Sequence, residues 1–257
     1  MKRVVVISDL HCSHVVGLTP PGWDNDRPRP QLKKAYAMRR AIWDFYTMVL
    51  ETLRPIDILI VNGDCIDGRG EKSGGTELLY PDRSDQVDMA VDCIMEAGAK
   101  KIVMSYGTGY HTGKEEDWER QIAGKVKATK IGSVDTINVN GKIFNYRHYI
   151  GSSQVPHGRH TAIARDHMWN LVWAQRGEYP QADVILRSHV HYHTYSGDAT
   201  WLGMTTPGLQ GYGSKFGART ISGTVDIGLV SFDVEEDGRM SWQPHIIRMP
   251  TSRPVSL

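Results

Sequence analysis

The chain has 257 residues, 40% hydrophobic and 23% charged, with 30 basic and 29 acidic side chains and a formal net charge of +1. That length can bury a sizeable core in one α/β domain. The even charge excludes a surface built for tight, nonspecific nucleic-acid binding, though not a local basic groove. Three cysteines, Cys12, Cys65 and Cys93, exclude a disulfide framework. No apolar stretch approaches a membrane span, so a cytoplasmic protein without a membrane partner is expected.

Val4-Val5-Val6-Ile7, between Lys2-Arg3 and Ser8-Asp9, reads as a buried strand and not as a leader. The Pro-rich, charged run 19–30 reads as a surface loop. Ala35, Met38, Ile42, Phe45, Met48 and Val49 fall at helical spacing and predict a helix over 31–53, with basic Lys33, Lys34, Arg39 and Arg40 on its solvated face. Pro55 closes it, and a second buried strand, 57–61, ends at Gly63-Asp64. A helix is predicted over 84–97, with Ser84 as N-cap and Gly98 where a C-cap glycine belongs. A strand at 101–106 and a helix at 114–127 follow. Asn140-Gly141 marks a hairpin between 136–139 and 142–146. The helix over 161–175 carries Trp169 and Trp173, four apart and expected in the core. A strand at 183–187 and a hairpin of 225–234 with 240–248 complete a β-α-β-α-β-α pattern that turns mostly β, read as one domain over 1–257.

The apolar runs end on metal-binding residue types. These are Asp9-Leu10-His11, Gly63-Asp64-Cys65-Ile66-Asp67-Gly68, Gly107-Thr108-Gly109-Tyr110-His111, His148 and Ser188-His189-Val190-His191. In extended chain, residues i and i+2 face the same way, so Asp9/His11 and His189/His191 are each expected to grip an ion as a pair. Asp and His suit Mn²⁺, Fe²⁺ or Zn²⁺, whereas structural zinc favours cysteine. Strand ends are where open α/β sheets place their sites. Two ions about 3.5–4 Å apart can share a carboxylate and clamp an in-line displacement at phosphorus. Asp64, leading its motif off a strand end, is the natural bridge.

This order of motifs, spanning 9–191, resembles the calcineurin-like metallophosphoesterase superfamily, whose pattern is D-x-H, G-D-x-x-D, G-N-H-[DE], H, G-H-x-H. The resemblance implies an α/β fold of metallophosphoesterase type, a two-sheet β-sandwich flanked by helices in four αββα layers. It implies two divalent ions, Mn²⁺ foremost, with Fe, Zn, Ni or Mg as alternatives. Asp9, His11, Asp64 and His191 would hold the first ion, and Asp64, Thr108, His148 and His189 the second. A hydroxide between the ions would be the nucleophile, and His111 the catalytic histidine that is not a ligand. The implied reaction is hydrolysis of a phosphodiester or phosphomonoester, with a nucleotide or nucleic acid as substrate. Its rivals are a phosphoprotein phosphatase and a catalytically silent metal-binding scaffold.

Two departures stand out. Ser188 replaces a glycine, and the third motif has no Asn. Aligned from the left, Thr108 takes the place of Asn; aligned from the right, Tyr110 does. Thr108 is preferred because its short hydroxyl can ligate weakly, which makes the second metal position the weaker one. Thr112 stands where the family carries an acid. This altered motif resembles a bacteriophage and prophage branch, which would place the protein in a host cytoplasm. Asp67 is expected to orient a ligand and Arg69 to hold a phosphate oxygen. His157, Arg159 and His160 are substrate-contact candidates, and the glycine-rich run 208–219 is read as plain loop.

Overall fold

Alternation along the first strand, Lys2–Ile7 (β1), sets the layers: Val5 and Ile7 pack among helices, while Val4 and Val6 face a second sheet. The computed structural model describes residues 1–24, 30–113, 116–153, 155–212 and 224–249, without the side chains of 30–34 and 72. The other strands of the first sheet are β2 (Ile58–Asn62), β3 (Lys101–Ser105), β4 (Lys130–Gly132), β10 (Ile227–Val234) and β11 (Met240–Ile247). They lie in the order β11-β10-β1-β2-β3-β4, with β1 to β4 mutually parallel and β10 antiparallel to β1. The second sheet comprises β5 (Asp135–Val139), β6 (Lys142–Tyr146), β7 (Val184–Arg187), β8 (Thr194–Gly197) and β9 (Leu202–Thr205). Its order is β5-β6-β7-β9-β8, with β6, β7 and β9 parallel.

Between the sheets lies one core, where Val4, Val6, Ile60 and Val103 meet Phe144, Tyr146, Val184, Leu186 and Met204. On the outer face of the first sheet lies another, built with helices α1 (Pro30–Leu53), α2 (Arg83–Met95) and α4 (Trp118–Lys125). A single helical turn, α3 (Gly109–Thr112), precedes α4. Helix α5 (Arg159–Gln175) covers the outside of the second sheet. It comes so close that a Cβ on Gly203 of β9 would collide with Ile163. The layers are therefore helix, sheet, sheet, helix, as the resemblance implied.

Several local expectations change. Arg39 is buried, not solvated: its guanidinium donates to the Val15 carbonyl (2.8 Å) and to Asp24. The N-cap of α2 is Asp82, whose carboxylate accepts from the Ser84 amide. Helix α4 begins at Trp118, and 114–115 fall outside the described residues, as do 25–29 of the first loop and 213–219 of the glycine-rich run. Trp169 is 52% exposed and stacks on Trp173 at the surface. The buried stripe of α5 is instead Ile163, Asp166 and Asn170. Two of these are polar because they have partners: Asn170 pairs with the backbone of Pro180 and Ala182, and Asp166 with two arginines. The short elements β4, α3, β8 and β9 were not expected.

Candidate metal centre

The strands stop short of the metal-binding residues. β1 ends at Ile7 and β7 at Arg187, so Asp9, His11, His189 and His191 lie in loops, not on extended chain as expected. Each adopts left-handed backbone, with φ of 51, 42, 73 and 53°, and Asp64 does so with φ of 52°. For non-glycine residues this costs on the order of 1–3 kcal/mol apiece and persists only where the surroundings enforce it. Here a ladder continues past the strand ends: Asp9 N–H donates to Gly63 O (3.0 Å), His11 N–H to Asp64 O (3.1 Å) and Cys12 N–H to Cys65 O (3.0 Å). Gly63 itself has φ of 79°, and a Cβ there would lie 2.7 Å from the His148 ring. Only glycine admits that approach.

These loops bring their side chains into three overlapping groups: Asp9, His11 and His191; His11, Asp64 and His111; Asp64, His148 and His189. Within each group the ligating atoms lie within 4.8 Å of one another. His191 Nε2 is 3.2 Å from Asp9 Oδ1 and 3.3 Å from His11 Nε2, while His148 Nε2 is 2.9 Å from Asp64 Oδ2. Asp64 belongs to two groups, the position of a shared carboxylate. His148 Nδ1 meets the Asn62 carbonyl (2.7 Å) and His111 Nδ1 the Asp67 carbonyl (2.8 Å), while His11 Nδ1 lies 3.3 Å from the Asp67 carboxylate without a hydrogen bond. Each contact turns Nε2 toward the centre, the usual support behind a metal-ligating imidazole.

Burial opposes charge throughout this cluster, and the neighbours decide the outcome. His148 is pushed up to about 10 because Asp64 and Asp9 outweigh its desolvation. His11 is driven down to about 4 by burial and by the nearby His111. Asp64 and Asp9 are held well below the usual carboxylate range despite burial, Asp64 chiefly by His148 and His111, Asp9 by His191 and His148. Asp9 Oδ1 and His148 Nε2 are buried without a hydrogen bond. Buried polar atoms ordinarily find a partner, and converging donors that are all Asp and His fit divalent cations.

Of the two alignments of the third motif, the structure brings Thr108 to Asp64. The Thr108 amide donates to Asp64 Oδ1 (2.7 Å), and its hydroxyl lies 3.2 and 3.4 Å from the two carboxylate oxygens. Tyr110 instead packs edge-on against His111. Asp67 is buried behind His11. Arg69 is exposed and lines a cleft of about 230 Å³ that opens beside His111. Arg159 lies over the ring of Tyr192, next to His191, at 4.1 Å from its centroid. His160 bonds the Tyr195 carbonyl and Thr194, and His157 lies in the turn before α5.

Three supports went unread in the sequence. The first is a buried chain of hydrogen bonds across the strand ends of both sheets: Ser105 to Asn62 (2.6 Å), Asn62 to Ser188 (2.6 Å), Ser188 to Thr206 (2.7 Å) and Thr206 to Ser8 (2.9 Å). A glycine at 188 would break it. The second is Asp166 of α5, which binds Arg187 (2.6 Å) and Arg147 (2.7 Å), the residues just before Ser188-His189 and His148. The third is Glu119, fully buried on α4, which accepts from the Cys65 and Gly107 amides. The serines, Asn62 and Thr206 do leave a signal, since each is a polar residue at the close of a strand. Asp166 and Glu119 leave none.

No family model matches this chain, and no curated protein matches it. Among solved structures it is similar to an archaeal phosphodiesterase, with 13% identity, a TM-score of 0.48, and 95% of this chain and 99% of that one covered. Vps29 from Entamoeba histolytica complexed with zinc is similar at 12% identity and a TM-score of 0.44, covering 95% and 98%. A predicted phosphoesterase from Streptococcus pneumoniae TIGR4 is similar at 12% identity and a TM-score of 0.38, covering 95% and 97%. Likenesses this distant carry no function across. On its own residues, in motif order and in the way two sheets bring those motifs to one rim, the chain resembles the calcineurin-like metallophosphoesterases.

Proposed function

We propose that the protein is a metal-dependent phosphoesterase that hydrolyses phosphodiesters, with nucleotides or nucleic acids as the substrate class. The observation that carries this reading is Asp64, a buried carboxylate belonging at once to the group with His11 and His111 and to the group with His148 and His189. Asp9, His11, Asp64 and His191 would hold one divalent ion, and Asp64, His148 and His189 the other, with the Thr108 hydroxyl beside them. When bound, a pair of such ions, Mn²⁺ by preference, supplies an activated water and neutralises charge on the phosphoryl oxygens.

The chain's own residues complete the chemistry. His111, its Nδ1 tied to the Asp67 carbonyl, presents Nε2 4.0 Å from Asp64 Oδ2. As an imidazolium it can give a proton to the departing ester oxygen. The cleft beside it is lined by Arg69, Arg83, Glu71, Tyr110 and Trp118, with the Arg83 guanidinium 6.0 Å from the Trp118 ring centroid. Guanidinium and carboxylate edges around aromatic faces suit a nucleobase, which offers donors, acceptors and a stacking surface together. At about 230 Å³ the cleft has room for a single such group. Three free, buried cysteines accord with a reducing cytoplasm. No helix among the described residues is long and apolar enough to cross a membrane.

The test is turnover of bis(p-nitrophenyl) phosphate beside p-nitrophenyl phosphate, on metal-stripped protein titrated with Mn²⁺. Faster diester turnover that appears only with metal is expected. A monoester preference would reassign the protein as a phosphatase. Metal binding without turnover of either ester would sink the enzymatic reading.

A further inference from the structure

Glu119 is fully buried, and its carboxylate does one thing on each side. Oε1 accepts from the Cys65 amide at 3.1 Å, and Oε2 accepts from the Gly107 amide at 2.6 Å. Cys65 follows Asp64 and Gly107 precedes Thr108, so one side chain from α4 ties together the loops that end β2 and β3. The loops touch with nothing between them: a Cβ on Gly107 would collide with the carboxylate and the backbone nitrogen of Asp64. The contacts of Thr108 with Asp64 exist only while the two loops keep this separation.

We infer that Glu119 is a positioning residue for the second metal position, holding Asp64 and Thr108 in register with His148 and His189. The inference rests on the reading of Asp64 as a shared ligand. Its physical basis is that both amides are donors and need acceptors. A carboxylate offers an acceptor on each oxygen, whereas the amide of glutamine would set its own NH₂ against one of the two N–H groups. The shorter aspartate would reach one loop and release the other. The second position is also where the chain lacks an amide ligand, having Thr108 there, so it depends more on imposed geometry than the first. Supports of this kind change metal affinity without touching the ion.

The experiment is Mn²⁺ binding by calorimetry on the metal-stripped full chain, comparing wild type, Glu119→Gln, Glu119→Asp and, as a control on the exposed side of α4, Arg120→Ala. The wild type and the control should bind two ions. Both Glu119 variants should bind the second ion about 10–100-fold more weakly and the first less so, because Asp64 is shared by both positions but Thr108 serves only the second. In the Glu119→Gln background, Thr108→Ala should cost less than it does alone, because Glu119 acts through that loop. If both ions bind Glu119→Gln as they bind wild type, the inference is overturned. It is equally overturned if both weaken alike in step with a lower Tm, which marks a purely structural role. Wild type that binds no metal would overturn the metal-centre reading and this inference with it. Should the variants not fold, the test moves to the wild type with Zn²⁺ and ¹⁵N amide spectra. The Cys65 and Gly107 resonances should shift with the second equivalent, and no shift at either equivalent overturns the inference.

Discussion

The two halves of the candidate centre are built differently. Asp9, His11 and His191 sit on two short loops of left-handed backbone, and the strain is held by a local ladder from β1 to β2 and by Asp67 behind His11. Asp64, His148 and His189 are supported from farther off: by Asn62 on the second strand, Glu119 on α4 and Asp166 on α5. The first half is held mainly by contacts between the loops that end β1 and β2, with His191 joining it from the loop after β7. The second is an assembly whose scaffold comes from the whole sandwich. Substitutions far from the ligands should therefore injure the second half selectively.

The largest effect is expected where the halves meet. His111 lies against both His11 and Asp64, yet it is read here as a proton donor and not a ligand. His111→Ala should keep both ions and lower kcat for an alkyl or nucleoside diester by roughly 10²–10⁴-fold. The loss should be much smaller for a p-nitrophenyl ester, because p-nitrophenolate leaves without needing a proton. Steady-state kinetics on both ester types, with metal content measured on the same samples, decides the matter. Equal losses on both esters, or loss of an ion, would remove His111 from its assigned role.

A smaller effect separates the halves. Asp166 is buried and holds Arg187, which is itself 1% exposed, together with Arg147. Asp166→Asn leaves a buried guanidinium without its counter-charge, a change that costs on the order of 3–5 kcal/mol of stability. The strand ends bearing His148 and His189 lose their anchor, so the second ion, which takes both, should bind about 10–100-fold more weakly, and the first, which takes only His191 from that loop, should weaken less. Chemical denaturation and metal titration read the two consequences separately. Equal weakening of both ions would mean that the halves are not independently supported.

The same contrast explains what the sequence disclosed. Asp9/His11 and His189/His191 could be read because each pair is contiguous and follows an apolar run. The reason offered, that extended chain points i and i+2 one way, is not the one the molecule uses; left-handed loops converge them instead. The layer order was legible in the alternation of β1, whose two faces feed two cores. Ser188 looked like a blemish on a glycine motif, but it is the middle link of a hydrogen-bond chain joining the two sheets, a property visible only once five strand ends are neighbours. Trp169 and Trp173 misled for the converse reason. Their spacing is apolar, yet the stripe that faces the sheet is spent on Asp166 and Asn170, whose partners lie elsewhere in the chain. Local pattern reports on contacts that are local, and the second half of the site is made of contacts that are not.

The finest test of the contrast is the pH dependence of the metal-free chain, since in each half one histidine is raised and one lowered, with His148 raised and His11 lowered by large shifts. His148 in the fold keeps its proton up to about 10, so between roughly pH 6.5 and 10 the folded state holds a proton that the unfolded chain has released. Its contribution to stability is complete below about pH 6.5 and is lost as the pH rises through 10. His11 is held down to about 4, so between roughly pH 4 and 6.5 the unfolded chain binds the extra proton. Stability from this residue rises with pH across that window. On these two groups alone, the metal-free protein should be most stable near pH 6.5, with Tm falling on the alkaline side because of His148 and on the acid side because of His11. Saturating Mn²⁺ should abolish the alkaline fall, because a ligating imidazole has already given up its proton and the ion occupies the place of that charge. In His148→Gln the metal-free alkaline fall should shrink to the part contributed by His191, while the acid fall remains. Were both limbs to vanish together in that variant, the two halves would titrate as one unit, and the division drawn between them would not hold.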